Sequence, residues 1–166
     1  MNSTKMKQKN ELRLNFMRRA IELSKNNVLS LNGGPFGAVI VKDNVIVGEG
    51  WNKVTTNNDP TAHAEVEAIR QACQKLNTFS LEECEIYTSC EPCPMCLSAI
   101  YWARINKIYF ANTKTDAAGI QFDDDFIYQE IPKPLEKRKI PMEAMLRDEA
   151  LKVFQIWSSK VDKISY

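Results

Sequence analysis

The chain has 166 residues, 44% of them hydrophobic and 26% charged, which suits one globular domain with a sizeable core. Its 22 basic and 21 acidic residues leave a formal net charge of +1, which excludes the broad electrostatic footprint of a general nucleic-acid binder. The longest apolar stretches, such as "FGAVIV", fall far short of the roughly 20 residues that span a bilayer. The polar start "MNSTKMKQKNEL" has no apolar signal-peptide core, so an intracellular, cytoplasmic protein is expected, without a membrane partner.

The first ten or so residues carry no apolar pattern and are expected to be frayed or disordered. From about Leu12, the residues Phe16, Met17, Ala20, Ile21 and Leu23 recur with helical spacing, and "NGGP" closes that helix. "GAVIVKDNVIVGEGW" reads as a hairpin of two β-branched runs turning at Asp43–Asn44. Thr61 is placed to cap a helix carrying Val66, Ile69, Cys73 and Leu76 on one face. "EIYTS" is a short strand. "PMCLSAIYWARI" is a helix apolar on nearly every side, hence buried, with Pro94 in its first turn. "KIYFAN" is a further strand. "TDAAGIQFDDDFIYQEIPKP" is mixed and ends in proline-marked turns, "KRKIPMEAML" reads as a final strand, and "RDEALKVFQIWSS" as a final amphipathic helix. Strand–helix alternation after an opening hairpin predicts an α/β fold over residues 1–166: a single domain in three α/β/α layers around a central mixed five-stranded sheet.

His63 is the only histidine, with Glu65 two positions on, and three of the five cysteines crowd into Cys90, Cys93 and Cys96. In a reducing compartment such clustering points to metal or catalysis rather than a disulfide framework. Cys73 and Cys84, outside the cluster, read as small buried hydrophobes. His63 falls in the first turn of one expected helix and Cys93 and Cys96 at the start of another, where the partial positive charge favours thiolate. One imidazole and two thiolates make three ligands for tetrahedral Zn²⁺, and the fourth position then belongs to water, whose pKa zinc can lower to about 7. Glu65 is placed to move that water's proton to a substrate nitrogen. The competing arrangement is a closed Cys₃His site of Cys90, Cys93, Cys96 and His63, as in a non-catalytic zinc-binding interaction domain. Glu65 would then be an ordinary acid at a helix start. A redox role for the Cys-x-x-Cys pairs lacks the thioredoxin setting.

"HAE…PCPMC" fits the His-x-Glu…Pro-Cys-x-x-Cys signature of zinc-dependent nucleobase deaminases. The chain resembles the cytidine deaminase superfamily and, within it, the bacterial guanine deaminases. The likeness runs from about Gly34 to Tyr166 through "GGPFGAVIV", "GEGWNKVT", "NDPTAHAEV", "IYTSCEPCPMC", "AIYWAR", "TKTDAA" and "FDDDFIY". That resemblance implies a cytidine deaminase-like fold and one zinc per subunit on His63, Cys93 and Cys96, with water or hydroxide as fourth ligand. It implies Glu65 as proton shuttle, Cys90 outside the ligand set, and hydrolysis of guanine to xanthine and ammonia.

Guanine presents two adjacent donors, a ring N–H and the exocyclic amine, for which an ionised carboxylate is the natural bidentate acceptor. "FDDDF" offers Asp123, Asp124 and Asp125, which by composition alone read as a solvated loop. By analogy with guanine deaminases, Asp124 reads the base and Asn52, otherwise an ordinary turn residue, is a second polar contact. Phe36 and Trp102 supply aromatic surface to the purine or, equally, pack in the core. The resemblance further implies a homodimer in which the segment from about residue 145 to Tyr166 is exchanged between subunits, Tyr166 closing the neighbour's site. tRNA adenosine deaminases share "DPTAHAE" and the cysteine pair and stay open as an alternative, as do guanosine and other aminopurines as substrates. In the C-terminal stretch Asp148, Glu149 and Asp162 face Arg147, Lys152, Lys160 and Lys163, a near balance with no strong bias toward RNA.

Overall fold

In the computed structural model, which describes residues 3–165, the two β-branched runs form the expected hairpin, β1 (Gly37–Lys42) and β2 (Val45–Trp51). Asp43 and Asn44 make its turn with φ of 50° and 64°, the left-handed values that a two-residue type I′ turn requires and that Asp and Asn tolerate. β1 also pairs antiparallel with β3 (Cys84–Cys90), and β3 pairs parallel with β4 (Lys107–Asn112). The sheet is therefore mixed, in the order β2-β1-β3-β4.

Helices cover both faces, which is why β1 is buried from Gly37 to Val41. On one face α1 (Ser3–Leu29) packs Phe16 and Leu23 against Val39, Val41 and Tyr87. On the other, Ala64, Ala68 and Ala72 of α3 (Ala64–Leu76) and Ile100 of α4 (Pro94–Trp102) meet Ala38, Ile40, Val47 and Ile86. The short α2 (Val54–Asn57) links β2 to α3. α1 starts at Ser3 rather than near Leu12. Residues 5–10 are exposed and contain neither Gly nor Pro, so helix-forming Lys, Gln and Met extend the helix into solvent without an apolar stripe.

α3 lies directly on β2. A Cβ at Gly50 would sit 2.1 Å from the Ala64 carbonyl oxygen and 2.5 Å from the Ala68 nitrogen, so only glycine admits the helix at this height. The N-cap of α3 is His63, not Thr61. Thr61 is instead drawn into a turn, its N–H and hydroxyl donating to Asp59 Oδ1 at 2.8 and 2.7 Å. α4 is not buried all round either: Pro94, Cys96 and Ile100 face inward, while Tyr101 and Trp102 are 74% and 67% exposed.

The expected fifth strand does not form among the described residues, and the sheet has four. "KRKIPMEAML" follows a 3-10 turn (Leu135–Lys137) as irregular chain with Ile140, Met142 and Met145 exposed. Pro141 has no N–H for a ladder and restricts the residue before it, and no apolar face is buried to fix a register. The chain divides into two units, Met1–Asp124 and Asp125–Tyr166. The first holds the layered sheet and ends beyond α5 (Lys114–Gly119). The second holds α6 (Asp125–Glu130) and α7 (Arg147–Ser159), the latter with the expected bounds. No described helix is long and apolar enough to cross a membrane.

Candidate active site

Two helix N-termini carry the chemistry. His63 caps α3. Cys93 caps α4, its sulfur accepting the Cys96 N–H at 3.5 Å, with Pro94 in the first helical position, where its missing N–H costs nothing. This brings His63 Nδ1 to 3.6 Å from Cys93 Sγ and 3.4 Å from Cys96 Sγ, with the three ligand atoms all within 4.8 Å of one another. Zn–S and Zn–N bonds of standard length at tetrahedral angles call for S···N separations of about 3.5 Å. The residues present therefore fit a zinc ion. Cys90 stands apart: its thiol points to the Thr113 carbonyl oxygen at 3.6 Å and is not in the ligand group. The closed Cys₃His arrangement is thus not formed.

The two thiols titrate as a pair. The first proton leaves Cys93, whose thiol is held well below its ordinary range by a hydrogen bond from the Cys96 thiol and another from His63. The second is held on Cys96 far above the usual thiol range by that same thiolate and by burial. His63 is pushed up, chiefly by its bond to Cys93. A coordinated divalent cation deprotonates both thiols outright.

Glu65 lies in the first turn of α3, only 6% exposed, and its Oε1 accepts the Thr88 hydroxyl from β3 at 3.4 Å. Burial pushes its carboxyl above the ordinary range. His63, Glu65 and Cys93 open onto a cleft of about 540 Å³ that Asn52, Asp124 and Phe36 also line. Asn52, at the end of β2, is buried. Its Oδ1 accepts from the N–H groups of Gly34 and Val54 at 3.4 and 3.3 Å, which fixes the amide with its NH₂ as the remaining end. Asp124 is half-buried and its carboxyl is raised, first by desolvation. Asp123 lines the cleft beside it, whereas Asp125 is not among the lining residues and opens α6.

Trp102 is not part of this cleft within the chain. It lines a separate surface groove with Ile69, Cys73 and Phe79. Tyr166 lies outside the described residues. Two contributors were not foreseen. Phe122 meets Phe36 edge-on, with ring centres 4.9 Å apart at 88°, and its place beside the acid run was the available signal. Asn27 of α1 donates to the Gly34 and Asn52 carbonyl oxygens, each at 2.9 Å; nothing in "SKNNV" marks it out.

A helix-capping histidine, a Cys-x-x-Cys pair and a buried glutamate on an open cleft define a zinc-site deaminase of α/β/α build. Residues 10–112 match the cytidine and deoxycytidylate deaminase zinc-binding region, and the chain belongs to that family. Over 151 residues it is 55% identical to the guanine deaminase of Bacillus subtilis (strain 168), covering 91% of this chain and 97% of that protein. The X-ray structure of guanine deaminase from Bacillus subtilis matches with a TM-score of 0.89 at 51% identity, covering 100% of this chain and 99% of that one. The tRNA-specific adenosine deaminase of Aquifex aeolicus (strain VF5) is 45% identical over 86 residues, 52% of this chain and 57% of that protein.

Proposed function

We propose that this chain is a zinc-dependent guanine deaminase that hydrolyses guanine to xanthine and ammonia. The observation that carries the reading is the likeness to the Bacillus subtilis guanine deaminase over 97% of that protein, against 57% for the tRNA-specific enzyme of Aquifex aeolicus. His63, Cys93 and Cys96 hold the zinc, one ion per subunit. When bound, zinc supplies Lewis acidity and makes water a nucleophile at neutral pH.

The chain's own residues do the rest. Glu65 takes one proton from the attacking water and delivers it to the ring nitrogen of guanine, then takes the second from the hydroxyl now on carbon 2 and delivers it to the amine, which leaves as ammonia. Asp124 accepts from the ring N–H and the exocyclic amine, two charge-assisted bonds in one plane. Asn52, its oxygen committed to Gly34 and Val54, donates its NH₂ to the 6-oxo oxygen. Phe36, braced by Phe122, packs on the purine face.

The whole chain acts as one deaminase domain whose final segment, from about residue 145, serves a second subunit in a homodimer, with Tyr166 closing the neighbour's cleft. α7 leaves Val153, Phe154, Ile156 and Trp157 exposed, an apolar face suited to a second copy. Trp102, exposed on α4, is assigned to the purine site only within such an assembly. Five free cysteines suit the reducing cytoplasm. Stripping and restoring the metal tests the reading: chelated protein should release no ammonia from guanine and stoichiometric zinc should restore it. Equal activity without zinc would overturn it.

A further inference from the structure

We infer that Asn27 is a positioning residue for purine recognition, acting through Asn52. The inference rests on the guanine reading above. Asn27 belongs to α1, contributes no lining to the cleft and is 3% exposed. One of its amide N–H groups bonds the Gly34 carbonyl and the other the Asn52 carbonyl, each at 2.9 Å. The circle closes when the Gly34 N–H bonds Asn52 Oδ1 at 3.4 Å. The α1 end and the Gly33–Gly34 loop just after it are thereby tied to the β2 end, some way along the chain, at one point behind the cleft.

Everything the cleft needs on this side hangs from that tie. The Gly34 carbonyl that Asn27 holds also accepts the Phe36 N–H at 2.8 Å, and the Asn52 N–H bonds the Phe36 carbonyl at 3.1 Å. The packing is tight enough that a Cβ on Gly33 would fall 2.6 Å from the Asn52 carbonyl oxygen and 3.2 Å from Asn27 Nδ2. Asn27 Oδ1, meanwhile, is buried with no hydrogen-bond partner among the described residues. A buried acceptor left unsatisfied is costly, so the residue is not explained by its own hydrogen-bond balance. Its two donors are what the fold uses. Without them Gly34 is released, the Asn52 amide keeps only Val54, and the NH₂ that meets the purine 6-oxo group loses its fixed direction.

The test is a double-mutant cycle in zinc-loaded, full-length enzyme: Asn27→Ala, Asn52→Ala and both together, with guanine kinetics, melting temperature and zinc content for each. Asn27→Ala should raise KM for guanine about tenfold, the share of one neutral hydrogen bond, with kcat nearly unchanged. In the Asn52→Ala background the same change should raise KM by clearly less than tenfold, because the side-chain amide through which Asn27 chiefly acts is gone and only its hold on the Gly34 carbonyl beside Phe36 remains. Asn27→Ser, which keeps one donor, should recover part of the affinity, and it carries the cycle if the alanine variant does not fold. Additive effects on KM, or a fall in melting temperature with KM untouched, would overturn the assignment while leaving guanine deamination standing. A wild-type enzyme inert toward guanine would overturn the guanine reading and this inference with it.

Discussion

Replacing Glu65 by Gln isolates the proton shuttle from everything else the residue does. Gln keeps the volume of a 6% exposed side chain, and its Oε1 still accepts the Thr88 hydroxyl. Glu65 is not among the three ligand residues, so zinc content should stay at one per chain. What is lost is the group that takes and returns protons, a change of about 10²–10⁴ in kcat, or about 3–5 kcal/mol of barrier. Stability should move the other way. Burial holds the folded carboxyl above its ordinary value of 4.5, so its ionisation opposes folding progressively as pH rises through that value. The neutral amide escapes this, and metal-free Glu65→Gln should melt no lower than metal-free wild type at pH 7. The assay is ammonia release from guanine, paired with metal analysis and thermal melts. Near-normal turnover with zinc in place would refute the shuttle, and loss of zinc would make Glu65 a ligand instead.

Asp124→Asn removes one of two charge-assisted bonds to guanine and should raise KM roughly 10- to 150-fold, from about 1.5–3 kcal/mol; unchanged KM would take Asp124 out of base reading. Gly50→Ala places a Cβ 2.1 Å from the Ala64 carbonyl oxygen, next to His63, and should cost about 1–3 kcal/mol of stability and weaken zinc retention; a wild-type melt with full zinc would contradict that packing. Arg19 holds both oxygens of Glu49, at 2.8 and 2.9 Å, and its hydrogen bonds keep that carboxyl below its ordinary 4.5. A depressed carboxyl stabilises the fold above its unfolded value and loses that effect as pH falls through the folded one. Glu49→Gln should therefore melt lower than wild type at pH 7, by no more than about 1 kcal/mol for a half-exposed pair, with the gap closing below pH 4.5; a gap constant with pH would refute the link. Removing the last few residues through Tyr166 should lower kcat/KM for guanine without unfolding the sheet, and unaffected kcat/KM would return the tail to an inert end.

The hairpin, β3, β4 and α7 were legible because each carries a local signal: alternating β-branched runs around Asp43–Asn44, or an amphipathic stripe ended by polar residues. The grouping of His63, Cys93 and Cys96, which could hold a metal, was legible for a different reason: a lone histidine with Glu two positions on and a later Pro-Cys-x-x-Cys make a specific pattern, and the structure brings the three residues together. The fifth strand failed because "KRKIPMEAML" has strand-like apolar residues but no buried face to pair against, and Pro141 interrupts any ladder. α4 misled because a short apolar sequence does not say which side meets the sheet; Ile100 does and Trp102 does not. Thr61 offered a better capping side chain than His63, but its hydroxyl is spent on Asp59, and tertiary placement of the ligand decided the cap. Asn27 left no mark in the sequence because its bonds to the Gly34 and Asn52 carbonyls form only once the fold brings the end of β2 beside the end of α1.

Ammonia release by zinc-loaded protein, measured with guanine, adenine, cytosine and guanosine side by side, decides both the reaction and the base. Guanine should release ammonia rapidly and the other three little. Silence toward all four with zinc confirmed in place would contradict guanine deamination, and brisk release from adenine or cytosine with guanine left intact would assign the cleft to a different base.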